Sequence, residues 1–217
     1  MKQIACTLFI ILSFNCSGPT TNISNKQILS QLNSFIESSD FFELKRVYNE
    51  NIDNLSETHN LYYKAIICNV FNRSEESNMA IDKLVKKHTT FLNDSMLSKI
   101  YQAKLLNHVN LYEYGEAAKS SEYIQKSFEK FLDSIEMENL KNELKIWKAL
   151  KNIPKQQMVK STSATIPMVK DKVGLFNVDV TFGGTTKNLL FDTGANFSVL
   201  IKSLALELGL NIIDADF

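Results

Sequence analysis

Three groups of residues in this 217-residue chain could do chemistry. The first is Asp192-Thr193-Gly194-Ala195, a carboxylate in a glycine-containing turn between the apolar segments Leu189-Leu190-Phe191 and Phe197-Ser198-Val199-Leu200-Ile201. Two carboxylates sharing one proton can activate water and protonate a leaving group, whereas a single one in a turn often does no more than cap it. The second group is His59, His88 and His108. They are far apart and none lies in a His-x-x-x-His or Cys/His cluster, so their spacing argues against a metal centre. The third is Cys6, Cys16 and Cys68. Cys68 sits in the apolar run Ala65-Ile66-Ile67-Cys68-Asn69-Val70-Phe71 with no histidine at a recognisable spacing, which reads as a small buried hydrophobe rather than a reactive thiol.

Composition narrows the classes. The chain has 24 Lys+Arg against 24 Asp+Glu, and this zero net charge lacks the cationic excess a nucleic-acid binder needs. At 44% hydrophobic residues it is too apolar for disorder. The basic cluster Lys83, Lys86, Lys87, His88 has Glu75, Glu76 and Asp82 nearby, so it reads as a solvated helix face.

The N-terminus, Met1 to Phe14, carries one early lysine and then an apolar stretch of signal-peptide length, too short to span a bilayer. Cys16 follows and is trailed by the small, polar Ser17-Gly18-Pro19-Thr20-Thr21-Asn22. This resembles a bacterial lipoprotein signal, in which a cysteine closing the apolar run becomes the lipidated end. Phe14 and Asn15 depart from the small residues usual there. The expectation is an exported protein, periplasmic or membrane-anchored, with residues 1–16 as signal and 17–24 as tether.

The helix breakers divide the rest. Between Thr20 and Pro154 there is no proline and only Gly115, whereas Gly174, Gly183, Gly184, Gly194 and Gly209 crowd the other end. Over 25–153 the apolar residues recur at steps of three and four, as in Ile28, Leu29, Leu32, Phe35, Ile36, in Leu97, Ile100, Tyr101, Leu105, and in Leu140, Leu144, Trp147. Ser39-Asp40, Ser56-Glu57, Ser74-Glu75-Glu76 and Asn93-Asp94-Ser95 are candidate N-caps that cut this stretch into about seven antiparallel helices. Two pairs resemble tetratricopeptide-type hairpins. Ile67, Cys68, Phe71, Ala80 and Leu84 carry the first resemblance, and Tyr114 with Ala117 the second, although Lys104 stands where that repeat wants an apolar residue. Such a stack implies a concave surface for a protein partner, or only a spacer or prosegment.

Beyond a linker at 154–163 the period changes from 3.6 to 2. Phe176 to Phe182 alternates as a half-buried strand, Gly183-Gly184 makes a tight hairpin, and Thr185 to Phe191 returns. Phe197 to Ile201 reads as a further strand and Ser203 to Leu208 as a short helix stopped by Gly209.

Residues 164–217 resemble the retropepsin-like aspartic proteases. The residues that carry this are Thr165-Ile166-Pro167 opening a first strand, Phe191-Asp192-Thr193-Gly194-Ala195-Asn196 as the active-site loop, Ser198-Val199-Leu200 after it, and Leu208-Gly209-Leu210 closing the helix. A lone Asp-Thr-Gly arises by chance in roughly one chain in twenty-five of this size, so its placement between strands matters more than the tripeptide. The resemblance implies an α+β multidomain chain, with an all-α hairpin stack followed by the first half of an all-β acid-protease barrel.

It also implies peptide-bond hydrolysis with no metal or organic cofactor. Asp192 would be the catalytic carboxylate. Gly194 would bring an amide N–H toward it, Thr193 would turn its hydroxyl away from substrate into a network tying two loops together, and Ala195 would keep the loop floor small. Only one Asp-Thr-Gly is present, because Asp171, Asp179, Asp214 and Asp216 lack that context. The second carboxylate would therefore come from another copy, in a homodimer with Asp192 near its two-fold axis. The flap and the later apolar-apolar-glycine strand of that family do not follow Ile212-Ile213. The chain as it stands is thus expected to be half of the catalytic domain and inactive alone. The rival expectation is a non-catalytic exported adaptor that binds through its helical surface.

Overall fold

A computed structural model describes residues 24–157, 159, 163, 165–195 and 198–213. Residues 1–16 with the expected export signal and Cys16, and likewise Ala164, Asn196, Phe197, Asp214 and Asp216, lie outside the described residues. The described residues form two compact units that divide between Ser56 and Glu57.

The first unit is a helical hairpin. Ser24 starts α1 (Asn25–Glu37) with a capping box, in which its hydroxyl accepts the Gln27 N–H and Gln27 Oε1 accepts the Ser24 N–H at 3.0 Å. Asp40 caps α2 (Phe41–Asn51) as expected, accepting the Glu43 N–H. The pair buries Ile28 and Leu32 with Leu44, Val47 and Tyr48.

The second unit continues with α3 (Glu57–Val70), α4 (Ser74–His88), α5 (Asp94–Asn110), α6 (Tyr114–Ser127) and α7 (Ser134–Leu150). Each helix packs on the next, and α3 also touches α5, so successive hairpins stack as well as fold. Seven α-helices thus lie between Asn25 and Leu150, as the periodicity predicts. Asn93 caps α5 by accepting the Met96 N–H at 2.9 Å. Ser74 is not a cap. It is buried in the first turn of α4, and Arg73 holds the cap position without a side-chain bond.

Two devices recur along the helices. The first helix of each hairpin ends in a left-handed residue that is not glycine: Ser39 (φ 58°), Asn72 (φ 55°) and Tyr112 (φ 58°). After each, an N–H reaches back to a carbonyl of the helix: Asp40 to Phe35 at 2.9 Å, Arg73 to Cys68 at 2.8 Å, Glu113 to His108 at 2.8 Å. These are Schellman closures, which satisfy helix-end carbonyls and reverse the chain. The second helix runs into a 3₁₀ turn, at Ile52–Asn54, Thr89–Phe91 and Glu129–Phe131, each followed by a leucine.

Of the residues that suggested repeat hairpins, Ile67, Cys68, Ala80, Leu84 and Ala117 are buried, while Phe71 and Tyr114 are only partly so. Lys104 is accommodated by its length, since its Nζ reaches Asp82 Oδ1 on α4 at 2.6 Å while its stem stays partly covered. Where α3, α4 and α5 meet, the core is polar. Fully buried Asn107 gives Nδ2 to Ser77 Oγ (2.8 Å) and Asn78 Oδ1 (2.9 Å), and accepts from Asn69 Nδ2 (2.9 Å). Ser77 in turn donates to the Ala65 carbonyl at 2.8 Å.

After Leu150 the chain changes material. Strands β1 (Val169–Lys170), β2 (Phe176–Phe182) and β3 (Thr185–Leu190) form an open antiparallel sheet in the order β1-β2-β3. Gly183 (φ 52°) and Gly184 (φ 91°) turn between β2 and β3, with Phe182 opposite Thr185. Both positive angles suit the two-residue hairpin and exclude most side chains. The helix α8 (Lys202–Glu207) ends at Gly209 (φ 67°) and ties to the sheet by Lys187 Nζ to Glu207 Oε1 at 2.6 Å.

With 63% helix and a small sheet the layout is α+β, and the described residues form no barrel. Two strand expectations are corrected. The first strand begins at Val169 rather than at Thr165-Ile166-Pro167, and Ser198 to Ile201 lies outside the sheet. Apolar character alone does not make a strand; a ladder partner is needed, and Ser198 to Ile201 pairs with neither open edge of the sheet. No described residue after Trp147 is buried, and Phe176 and Phe191 stay 48% and 44% exposed.

Replacing Asn107 by alanine should strand the groups it satisfies and cost about 2 kcal/mol of unfolding free energy. Urea denaturation checks this, and an unchanged midpoint would show that the network contributes nothing.

Candidate functional site

Strand β3 delivers the site. Past its last residue the Phe191 N–H still bonds to the Phe176 carbonyl at 2.8 Å, which sets Asp192 at the end of the sheet. There the chain turns back on the carboxylate, and Asp192 Oδ1 accepts the Gly194 N–H at 2.8 Å. A Cβ at Gly194 would stand 3.3 Å from that oxygen, closer than side-chain carbons normally come. Glycine there spares the carboxylate the few tenths of an ångström by which it would otherwise have to give. Asp192, Thr193 and Ala195 are exposed, so the carboxylate is open to solvent and to a partner.

The other described aspartates of this region are occupied. Asp179 points outward from β2 and accepts Asn188 Nδ2 at 2.7 Å. Asp171 closes the β1–β2 reversal, its Oδ1 accepting the N–H groups of Val173 and Leu175, both at 2.9 Å. The Leu175 N–H holds this carboxyl below its ordinary range against an opposing desolvation, with the Val173 N–H adding to the effect. The geometry thus brings no second carboxylate of the sheet to Asp192 within one copy.

Thr193 lines an open cleft of about 1220 Å³ together with Ala195 and Ser198, the α3–α4 turn, the α5–α6 turn and Gln156. The helical wall includes Asn69, Arg73, Tyr112 and Tyr114. Sequence reasoning missed these residues, because they come from separate turns and no local motif marks them.

The histidines stay apart. His88 Nδ1 is 3.2 Å from Thr58 Oγ1 and its Nε2 is 3.4 Å from Glu57, while His108 Nδ1 is 2.9 Å from Glu113. Burial pulls the His59 ring below its ordinary range. His88 thus links α4 to α3, and His108 pairs with Glu113 just beyond its own helix. Among the described residues no group of three or more His, Cys, Asp or Glu could hold a metal ion. Cys68 is a buried thiol. Lys83 finds its partner in Glu57 on α3 at 2.6 Å rather than on its own helix, and Asp82 and Glu76 pair with Lys104 and Arg73. No described helix is long and apolar enough to cross a membrane.

Because the folded Asp171 carboxyl titrates below its ordinary 3.8, its turn gains stability above that pH and loses it as pH falls through the lowered value. Amide exchange at Val173 and Leu175 should therefore stay slow at pH 4 and accelerate in more acidic solution. Asp171→Asn should lack that step.

Compared with protein-family models, with curated protein sequences and with solved structures, the chain matches none.

Proposed function

We propose that this chain is one half of an aspartic-type endopeptidase, in which Asp192 from each of two copies forms the water-activating pair. The observation that carries the reading is the exposed Asp192 carboxylate, held at the end of β3 by the Gly194 N–H at 2.8 Å. Peptide hydrolysis needs a group that takes a proton from water and a group that gives one to the leaving amine. Two carboxylates close together do both, because their mutual repulsion keeps one protonated. The pair titrates as a unit, so neither role belongs to one subunit. One such carboxylate per chain requires a symmetric homodimer with the two loops at the axis.

The same reading accounts for the sheet. In one copy β2 and β3 leave Phe176, Leu190 and Phe191 largely exposed, and the outer edge of β3 has no ladder partner among the described residues. Exposed edges and apolar faces of this kind are usually covered by another chain. We assign the sheet to the beginning of a retropepsin-like barrel, and the protein to the exported fraction, by its N-terminal signal and Cys16.

A second reading is a non-catalytic adaptor that binds through its helices. It is favoured by the hairpins, which are well packed and repeat the same left-handed closure, whereas the strand region buries no residue.

Incubation of a full-length protein that carries both halves of the catalytic domain with a peptide mixture at acidic to neutral pH, read by mass spectrometry, tests the hydrolase. Asp192→Asn should lower cleavage by at least about 100-fold. Equal cleavage by both proteins would sink the assignment, and a strictly monomeric mass in sedimentation equilibrium would favour the adaptor.

A further inference from the structure

The cleft beside Asp192 has two walls of different origin. One is the loop, through Thr193, Ala195 and Ser198; the other is the helical array, through the α3–α4 and α5–α6 turns. At about 1220 Å³ it exceeds the roughly 300–1,000 Å³ typical of small-molecule sites and is open along its length. We infer that it is an exosite for an extended polypeptide, so that the helical hairpins select what reaches the Asp192 loop. This inference rests on the hydrolase reading for its purpose, though not for its geometry.

The chemistry of the helical wall fits a peptide backbone. Asn110 and Gln156 supply carboxamides that both donate and accept, and Asn69, whose Nδ2 is spent on the Ala103 carbonyl and Asn107 Oδ1, offers its Oδ1 as a further acceptor to an extended chain. Tyr112 and Tyr114 stand edge to face with centroids 6.4 Å apart, offering apolar faces with polar tips. Charge adds a preference. Arg73 is paired with Glu76 at 3.4 Å, which leaves Glu75 as the unmatched charge of this wall among the described residues. A segment carrying a lysine or arginine is therefore favoured over an acidic one.

The wall is also rigidly backed. Tyr112 holds the left-handed position that closes α5, Asn69 is tied to buried Asn107, and Tyr114 stacks on Trp147 with centroids 5.8 Å apart and planes 3° from parallel. Trp147 is the sole tryptophan of the chain, so its emission reports on Tyr114.

The test uses the full chain carrying Asp192→Asn, so that bound peptide survives, titrated with two dodecapeptides that differ only by Lys or Glu at the centre. The Lys peptide should give a saturable change in Trp147 emission and bind several-fold more tightly than the Glu peptide. Adding Tyr112→Asn, which keeps a residue tolerant of positive φ, should weaken binding about tenfold. Adding Glu75→Gln at its exposed position should erase the preference for Lys, a change of up to about fivefold. Far-UV circular dichroism confirms that both variants fold. No saturable change, or equal affinities in all three proteins, would overturn the exosite. Whether the full-length protein with both halves of the catalytic domain cuts the same peptide is read separately: binding without cutting removes the protease and keeps the cleft, and cutting without a Trp147 response does the reverse.

Discussion

The helical part of this protein depends on reversing the chain at a helix end without glycine. At Ser39, Asn72 and Tyr112 an L-residue adopts the left-handed conformation, at a cost of about 1–2 kcal/mol each. What offsets it is the bond from the following N–H to an otherwise orphaned carbonyl, together with the apolar faces that the reversal brings into register. The turn at Asn72 lays α4 on α3, and the turn at Tyr112 lays α6 on α5. Only then can Asn107 on α5 meet Asn69 on α3 and Ser77 on α4, and only then do Asn69 and Tyr112 face one cleft.

The array and the sheet solve burial differently. In the array, Leu105, Val109, Ala117, Ile124, Phe128, Leu140 and Trp147 form one contiguous core shared by α5, α6 and α7. Its polar exceptions are satisfied, as at Asn107, so burying them fixes the register between hairpins instead of leaving unmet donors. In the sheet no described residue is buried, and Lys187 on β3 ties it to α8 through Glu207. A sheet so thinly covered is held by its ladder and its turns: the glycine pair at 183 and 184, and Asp171 binding two backbone amides.

The Asp192 loop is where these materials meet. The ladder reaches as far as Phe191 and stops, so the carboxylate is fixed by one turn beyond the last strand residue rather than by surrounding side chains. A carboxylate held that way is well oriented and fully accessible, a combination that suits a group meant to complete its site with a second one. The opposite wall of the cleft comes from helices whose own packing does not depend on the loop.

Much of this was legible in the chain itself, for local reasons. Periodicity marked seven helices because each buries one face, Asp40 and Asn93 announced helix starts because their side chains accept local N–H groups, and Gly183, Gly184 and Gly209 marked positive φ because glycine alone takes it freely. The turn at Asp192-Thr193-Gly194 was likewise a local property. The left-handed turns at Asn72 and Tyr112 were not legible, since the strain there is offset by packing between helices and not by residue type. Ser74 misled for the same reason: its place in the fold is buried among helices, which a capping rule does not see. Whether Ser198 to Ile201 would pair, which lysine met which carboxylate, and which turns would face Asp192 were decided only by the tertiary structure, because each depends on segments far apart in the chain arriving at the same place.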